Sequence, residues 1–217
     1  MAISLHKIKA GESVELTKEN AGLRHVTLGL RWGGLVEKKE EKPEKVSIIS
    51  AIFGGGRRSS SSTQVSDSPV DVDSAVVMLD SGGRKLDRVY YAKRHAQGVY
   101  HAGDDRSGNN KFGKEDNEEI YVKLEELHVA VKEIYVVANI YTGANDFSDN
   151  RLRGSYVRLL NSDTNDELVR YELDEFKGMR GVILGKLYKV GSDWEFEAIG
   201  KGVKTGSMNG IEEHIPC

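Results

Sequence analysis

The chain has 217 residues, 30% of them charged, with a formal net charge of −3 and an isoelectric point near 6.1. This balance gives no electrostatic case for nucleic-acid binding, since proteins that bind the phosphate backbone carry a basic stripe. The single cysteine, Cys217, excludes an internal disulfide and a cysteine-based zinc site. The first residues lack a signal-peptide pattern, and no apolar run approaches the roughly 18 residues of a transmembrane helix. We therefore expect a cytoplasmic protein without a membrane span, forming one domain over residues 1–217.

The first part of the chain contains two strand-like segments followed by a change in composition. Val14–Leu16 and Val26–Leu30 alternate between apolar and polar residues, with a turn between them. Residues 37–68 then form a mixed-charge run followed by Gly- and Ser-rich sequence. Such sequence buries too little apolar surface to offset the entropy of ordering it, so we predict a mobile, low-complexity insertion. Its apolar piece, Val46–Phe53, would form either a docking hairpin or helix, or a flap over exposed sheet.

Valine alternates with aspartate at the start of the next predicted strand, Val70–Leu79. Because residues two apart on a strand share a face, Asp71 and Asp73 project together and Val72 points the opposite way. Two bare carboxylates about 4 Å apart repel by about 4 kcal/mol at an effective dielectric near 20, so such a pair needs water, protons or a cation. The pair therefore indicates either a metal site or a polar strand edge that discourages sheet-to-sheet aggregation.

A second group of oxygen donors lies in the loop over 102–119, which holds three Asp, three Glu and three Asn residues. From Asp105 the loop overlaps the EF-hand calcium pattern, but Asn110 stands where that pattern has glycine and Asp116 where it has a bidentate glutamate. The flanking segments alternate with period two, so strands hold this loop rather than the helices of an EF-hand. His101, just before the loop, is either a partner of the metal ligands or a half-buried strand residue.

Short alternating segments continue to the end of the chain. They are 89–91, 120–124, 134–141, 156–160, 167–171, 181–188 and 194–199. About ten short strands separated by polar turns predict an all-β fold, a two-sheet antiparallel β-sandwich. Short helical connections are expected, one of them within 125–132.

Catalytic motifs are absent from the sequence. It contains no Gly-x-Ser-x-Gly elbow, no P-loop and no dinucleotide-binding glycine pattern after a strand. The six histidines show neither H-x-x-H nor H-E-x-x-H spacing. We therefore predict that the protein is not an enzyme.

Several motifs stand together in a specific order and spacing. The most specific are Asp71-Val-Asp73 and Gly103-Asp-Asp-Arg-Ser-Gly108, followed by Asp116-Asn-Glu118. Further matching segments are Leu28–Trp32, Asn145–Phe147, Tyr156–Leu159, Glu167–Leu173, Gly185–Tyr188 and Trp194–Gly200. In these segments the chain resembles the TerD family of tellurium-resistance and stress-response proteins. The resemblance implies a β-sandwich that binds one or two Ca2+ ions through the Asp-x-Asp strand and the acidic loop. It also implies assembly with other tellurite-resistance proteins, one of them membrane-embedded, at the inner face of the membrane.

The ligands predicted on this basis come from both acidic segments. They are Asp71, Asp73, Asp104, Asp105, Asn109, Asp116 and Glu118. The loop departs from the family pattern, because it is longer by two or three residues, Lys114 stands near an expected carboxylate, and Asn117 replaces an aspartate. Calcium affinity is tuned by ligand charge, so these departures predict a weaker site, or one ion instead of two.

The leading hypothesis is a non-enzymatic calcium-binding protein in which the metal orders the start of the Asp71 strand against the acidic loop and so creates an interaction surface. Two alternatives stay open. One is a C2-like sandwich that uses calcium to bridge to anionic lipid. The other is a carboxylate-metal phosphoesterase, which needs a positioned base that the sequence does not clearly supply.

Overall fold

A computed structural model of the protein describes residues 11–19, 22–33, 69–108 and 115–216. The predicted insertion over 37–68 lies outside these ranges, and so do Asn109 and Lys114. The single domain over 1–217 stays a prediction.

Two antiparallel sheets of six strands each form the described part of the chain. The first sheet contains, in spatial order, β1 (Ser13–Glu15), β12 (Asp193–Val203), β11 (Gly181–Val190), β8 (Glu133–Thr142), β3 (Asp71–Leu79) and β4 (Lys85–Val89). The second sheet contains β10 (Glu167–Glu172), β9 (Tyr156–Asn161), β2 (His25–Arg31), β7 (Glu118–Lys123), β6 (Val99–His101) and β5 (His95–Ala96). The predicted all-β antiparallel sandwich is therefore confirmed.

The core lies between the two sheets and follows from the alternation of each strand. On β7, Ile120 and Val122 are fully buried in the core, whereas Tyr121 and Lys123 between and after them are more exposed. On β3, Val72 and Val76 enter the same core. Since apolar burial is worth about 25 cal/mol per Å2, this two-sided packing is the main source of stability.

A smaller cluster covers the other face of the first sheet. Val77 and Leu79 of β3 belong to it, together with Ile211 of the short helix α2 (Met208–Glu212). Strand β3 is buried along all nine residues. One face packs in the sandwich core, and on the other face Val77 and Leu79 lie under this cluster.

Helical structure is limited to short pieces. Besides α2, the described residues form a helical turn α1 (Leu16–Glu19) and a 3-10 turn at Asn150–Leu152. The predicted helical connection within 125–132 is wrong, because this segment forms turns. Within the described ranges, no helix is long and apolar enough to cross a membrane.

Candidate metal centre

Three of the predicted ligands meet at the start of β3. Carboxylate oxygens of Asp71, Asp73 and Asp104 all lie within 4.8 Å of one another, and we call this group the acidic cluster. Asp71 and Asp73 are 4% and 3% exposed, whereas Asp104 lies at the surface. The cluster opens into a cavity of about 200 Å3. Tyr91, Arg106 and Tyr141 complete the lining of this cavity.

The alternation predicted for β3 is what brings the two strand carboxylates together. Val70 and Val72 are buried in the sandwich core, so Asp71 and Asp73 share the opposite face. The indole N–H of Trp32 donates a hydrogen bond of 2.8 Å to the carbonyl of Val70. This bond fixes the backbone directly before Asp71. Trp32 is thus both a buried core side chain and a hydrogen-bond donor to the residue before β3.

Hydrogen bonds and cations offset the buried negative charges of Asp71 and Asp73 only in part. Asp71 Oδ1 and Asp73 Oδ2 are buried and accept no hydrogen bond. Burial, followed by the charges of Asp104 and Glu118, raises the pKa of Asp71 to about 6. Burial, followed by the charges of Glu118 and Asp71, raises the pKa of Asp73 to about 8. Among the described residues, Arg106 places its Nε 3.9 Å from Asp71 Oδ2, and its side chain is 73% exposed.

Glu118 lies inside the sandwich and contributes to the charge felt by the cluster. Its Oε2 accepts hydrogen bonds from the backbone N–H and the hydroxyl of Ser74, at 2.8 and 2.7 Å. Since Ser74 belongs to β3 and Glu118 to β7, this contact joins the two sheets. Glu118 Oε1 is buried and accepts no hydrogen bond. One oxygen of this carboxylate, whose charge acts on Asp71 and Asp73, is therefore available as a ligand.

His101 connects Glu118 with the acidic loop. The ring is fully buried, which corrects the half-buried alternative, and its Nδ1 accepts a hydrogen bond of 3.3 Å from the N–H of Gly103. In a neutral ring the proton therefore resides on Nε2, which lies 3.5 Å from Glu118 Oε2. His101 thus contacts both the residue before Asp104 and the carboxylate beneath the cluster.

Asp105 and Asn117 shape the loop. Asp105 Oδ1 accepts hydrogen bonds from the N–H and hydroxyl of Ser107, and Asp105 Oδ2 accepts one from the side-chain amide of Asn117. Asn117 also accepts a hydrogen bond from the backbone N–H of Trp32. An aspartate at 117 could accept from Trp32 but could not donate to Asp105. Asn117 therefore links Asp105 of the loop to the backbone of Trp32, and it lies outside the acidic cluster.

Asp116 also lies outside the acidic cluster, and its role as a metal ligand stays a prediction. It is 2% exposed, and its carboxylate accepts hydrogen bonds from Arg158 Nε at 3.1 Å and Nη2 at 2.8 Å. Burial alone would lower the pKa of Arg158, but the hydrogen bonds and charge of Asp116 raise it. A Cβ at Gly29 would collide with the Asp116 carboxylate. Gly29 thus allows this buried ion pair to lie flat on β2.

Several residues at the site were not found from the sequence. Tyr91 and Tyr141 line the cavity with their rings 5.9 Å apart, and Arg106 lies beside Asp71. Asn139 pairs with Asp73 in the register of β3 and β8, and its Oδ1 is buried without a hydrogen bond. Asn139 and Tyr141 reach the cluster through the register of β3 and β8, and register is not visible in a single sequence without a known turn.

The donor set determines which ions the site could hold. The acidic cluster offers carboxylate oxygens, and further unpartnered oxygens belong to Glu118 and Asn139. Oxygen donors without nitrogen or sulfur suit hard cations such as Ca2+, Mg2+ and Mn2+. Elsewhere in the described ranges, no second group of three His, Cys, Asp or Glu residues has this spacing.

Comparison with known proteins agrees with the resemblance found in the sequence. The family model of the TerD domain matches residues 1–214. The chain is 28% identical to the stress response protein SCP2 of Bacillus subtilis, with 97% of this chain and 98% of that protein covered. It is 26% identical to the tellurium resistance protein TerZ of Serratia marcescens, with 94% and 93% covered. A solved structure of a TerD homologue from Streptomyces coelicolor has the same fold, with a TM-score of 0.64, 16% identity, and 90% and 99% coverage.

Proposed function

The chain belongs to the TerD domain family, and we propose that it is a non-enzymatic, calcium-binding protein of the tellurite-resistance and stress-response type. The observation that carries this proposal is the acidic cluster. Two almost fully buried aspartates have oxygens without hydrogen bonds next to a third carboxylate, and the exposed Arg106, 3.9 Å from Asp71, is the cation that the described residues place beside them. Buried charges in proteins are paired or coordinate metals, so a divalent cation is the natural counter-charge.

Asp71, Asp73 and Asp104 would hold the ion, and the oxygens of Glu118 and Asn139 are the next donors available. Calcium is preferred because it takes six to eight oxygen ligands in adaptable geometry, whereas Mg2+ demands a near-ideal octahedron. When bound, the ion would neutralise the carboxylates and fix the start of β3 against the acidic loop. One ion accounts for the described donors, and the contribution of Asn109 stays a prediction.

We further propose that the calcium-loaded cavity mouth is an interaction surface. Tyr141 is 54% exposed at this mouth and Arg106 is exposed beside it, so an aromatic ring and a cation flank the ion. Related proteins carry the names of tellurium resistance and stress response. We propose that this surface docks on other proteins of the tellurite-resistance type, one of them membrane-embedded, in the cytoplasm at the inner face of the membrane.

Isothermal titration of the chelator-treated protein with Ca2+ tests the metal site. We expect saturable binding by the wild type and loss of binding in Asp73→Asn. The matched control is Asp174→Asn, since Asp174 is exposed and outside the cluster. At a hundredfold excess over Kd, calcium should stabilise the wild type by about 2.7 kcal/mol. Identical melting curves in calcium and in chelator would rule the calcium site out.

Affinity capture with the full chain as bait tests the interaction surface. Tellurite-resistance proteins expressed together with the bait should be retained in calcium and released by chelator. Tyr141→Ala should weaken their retention without changing calcium affinity, because the ring lines the mouth and supplies no carboxylate. Retention that is insensitive to chelator and to Tyr141→Ala would place the interaction elsewhere.

A further inference from the structure

Arg106 lies at the mouth of the cavity that holds the acidic cluster. It lines this cavity together with Asp71, Asp73 and Asp104, and its Nε is 3.9 Å from Asp71 Oδ2. Burial and neighbouring carboxylates raise the pKa of Asp71 to about 6, and the charge of Arg106 opposes this rise. Arg106 is therefore a cationic side chain that offsets part of the negative charge of the cluster.

The contact between Arg106 and Asp71 is a weak one. A distance of 3.9 Å exceeds the length of a hydrogen bond, so the guanidinium does not form the short, charge-assisted bonds of a fixed arginine–carboxylate pair. The Arg106 side chain is 73% exposed, whereas that of Arg158, which donates to Asp116 at 2.8 Å, is 7% exposed. Exposed ion pairs are weak, because water and salt screen the charges. A cation of higher charge can therefore take the place of Arg106 beside Asp71.

The backbone on the C-terminal side of Arg106 is held in place. Asp105 Oδ1 accepts hydrogen bonds from the N–H and the hydroxyl of Ser107. Gly108 has a φ of +64° and lies so close to Trp32 that a Cβ at this glycine would be 2.8 Å from the indole ring. Rotation of the exposed Arg106 side chain is thus enough to withdraw the guanidinium from the cluster, without a change in the loop backbone.

We propose that Arg106 sets the calcium affinity of the acidic cluster by competing with the ion for Asp71. This inference rests on the calcium site proposed above. In the metal-free protein the guanidinium stabilises the charged form of Asp71, and the ion has to displace it. Once bound, the ion remains near a charge of the same sign, which repels it. Both effects weaken calcium binding, so Arg106 determines affinity without being a ligand.

Isothermal titration with Ca2+ at low ionic strength compares the wild type with Arg106→Gln. The variant should bind calcium about threefold to tenfold more tightly, because it keeps a polar side chain without the charge. Arg106→Lys keeps the charge and should stay within about twofold of the wild type. The matched control is Arg24→Gln, which removes a 65% exposed arginine 3.7 Å from Glu125 and outside the cavity. This control should leave calcium affinity unchanged.

Two further measurements test whether the charge of Arg106 is responsible. Raising the ionic strength to about 1 M, where the Debye length is about 3 Å, should reduce the difference between Arg106→Gln and the wild type to less than about twofold. At low ionic strength the difference should be larger for a trivalent lanthanide ion than for Ca2+, because the Coulomb energy is proportional to the charge of the ion.

The proposal is overturned if Arg106→Gln binds calcium as tightly as the wild type or more weakly. It is also overturned if Arg106→Lys gains as much affinity as Arg106→Gln, or if the gain responds neither to salt nor to the charge of the ion. These results would leave the calcium site itself intact. Absence of calcium binding by the wild type and by Arg106→Gln would instead remove the site, and with it the role of Arg106.

Discussion

Asp73 and Asp116 are both almost fully buried aspartates, and the sequence predicts both as calcium ligands. They differ in the groups that surround their carboxylates. Asp116 accepts hydrogen bonds from two nitrogens of Arg158. Asp73 has a buried oxygen without a partner and lies beside further carboxylates. Arg158 supplies a counter-charge to Asp116, although burial still raises the pKa of that carboxyl, whereas the described part of the chain pairs no cation with Asp73. This difference separates a carboxylate that stabilises the fold from one that is available to a metal ion.

The largest effect on stability is expected from removing Arg158, the cation that pairs with Asp116. Arg158→Met leaves Asp116 buried without a counter-charge, which should cost about 3–5 kcal/mol of unfolding free energy. Urea unfolding in chelator measures this loss. The double variant Arg158→Met with Asp116→Asn should recover much of it, because the buried charge is then gone. If Arg158→Met costs less than about 1 kcal/mol, the pair behaves like a surface ion pair and the contrast fails.

The pH dependence of stability should reveal the buried charges of Asp71 and Asp73. An unfolded aspartate titrates near 3.8, whereas burial raises the pKa of Asp71 to about 6 and that of Asp73 to about 8. The native state therefore holds protons that the unfolded state has released, and its stability falls as pH rises. The contribution is fully present below about pH 4 and is lost as pH rises through 6 and 8.

Unfolding free energies of the metal-free wild type and of Asp73→Asn, compared between pH 5 and pH 8, measure this contribution. We expect the wild type to lose about 2–3 kcal/mol more than the variant. Saturating calcium should remove the difference in slope for the wild type, because metal binding requires deprotonated carboxylates and strengthens as pH rises. Parallel profiles for the two proteins would show that Asp73 ionises freely.

Substitutions of His101 test whether its contacts with Gly103 and Glu118 position the acidic cluster for metal binding. His101→Asn keeps an acceptor for the Gly103 N–H, and His101→Gln keeps a donor toward Glu118, but neither keeps both contacts. Each should weaken calcium binding about tenfold or more, the usual effect of removing a group that orients a ligand. Titration calorimetry measures the affinity, with the exposed His214→Asn as control. A lower melting temperature with unchanged affinity would assign His101 to the fold alone.

Local sequence patterns predict only part of this difference between Asp73 and Asp116. Alternation of valine and aspartate predicts that Asp71 and Asp73 share a face, and the many short alternating segments predict the sandwich. The partner of Asp116 is not visible in this way, because Arg158 is 42 residues away and reaches it only through the pairing of β2 with β9. The burial of His101 and the position of Tyr141 likewise depend on register between strands. From the sequence alone, every carboxylate of the acidic loop is a candidate metal ligand. The fold then shows which of them is paired with a cationic side chain.

The smallest effect is expected at Asn117, which the sequence comparison treats as a lost carboxylate. Asn117→Asp restores the expected residue but replaces the amide donor to Asp105 with a second negative charge. The variant should lose about 1–2 kcal/mol of unfolding free energy, since a buried hydrogen bond is removed and repulsion replaces it. Calcium affinity should not rise, because Asn117 lies outside the acidic cluster. Urea unfolding and calcium titration of the same variant measure the two quantities, with Asn117→Ala to separate the lost hydrogen bond from the added charge. A rise in calcium affinity would instead make residue 117 part of the metal site, together with Asp71, Asp73 and Asp104.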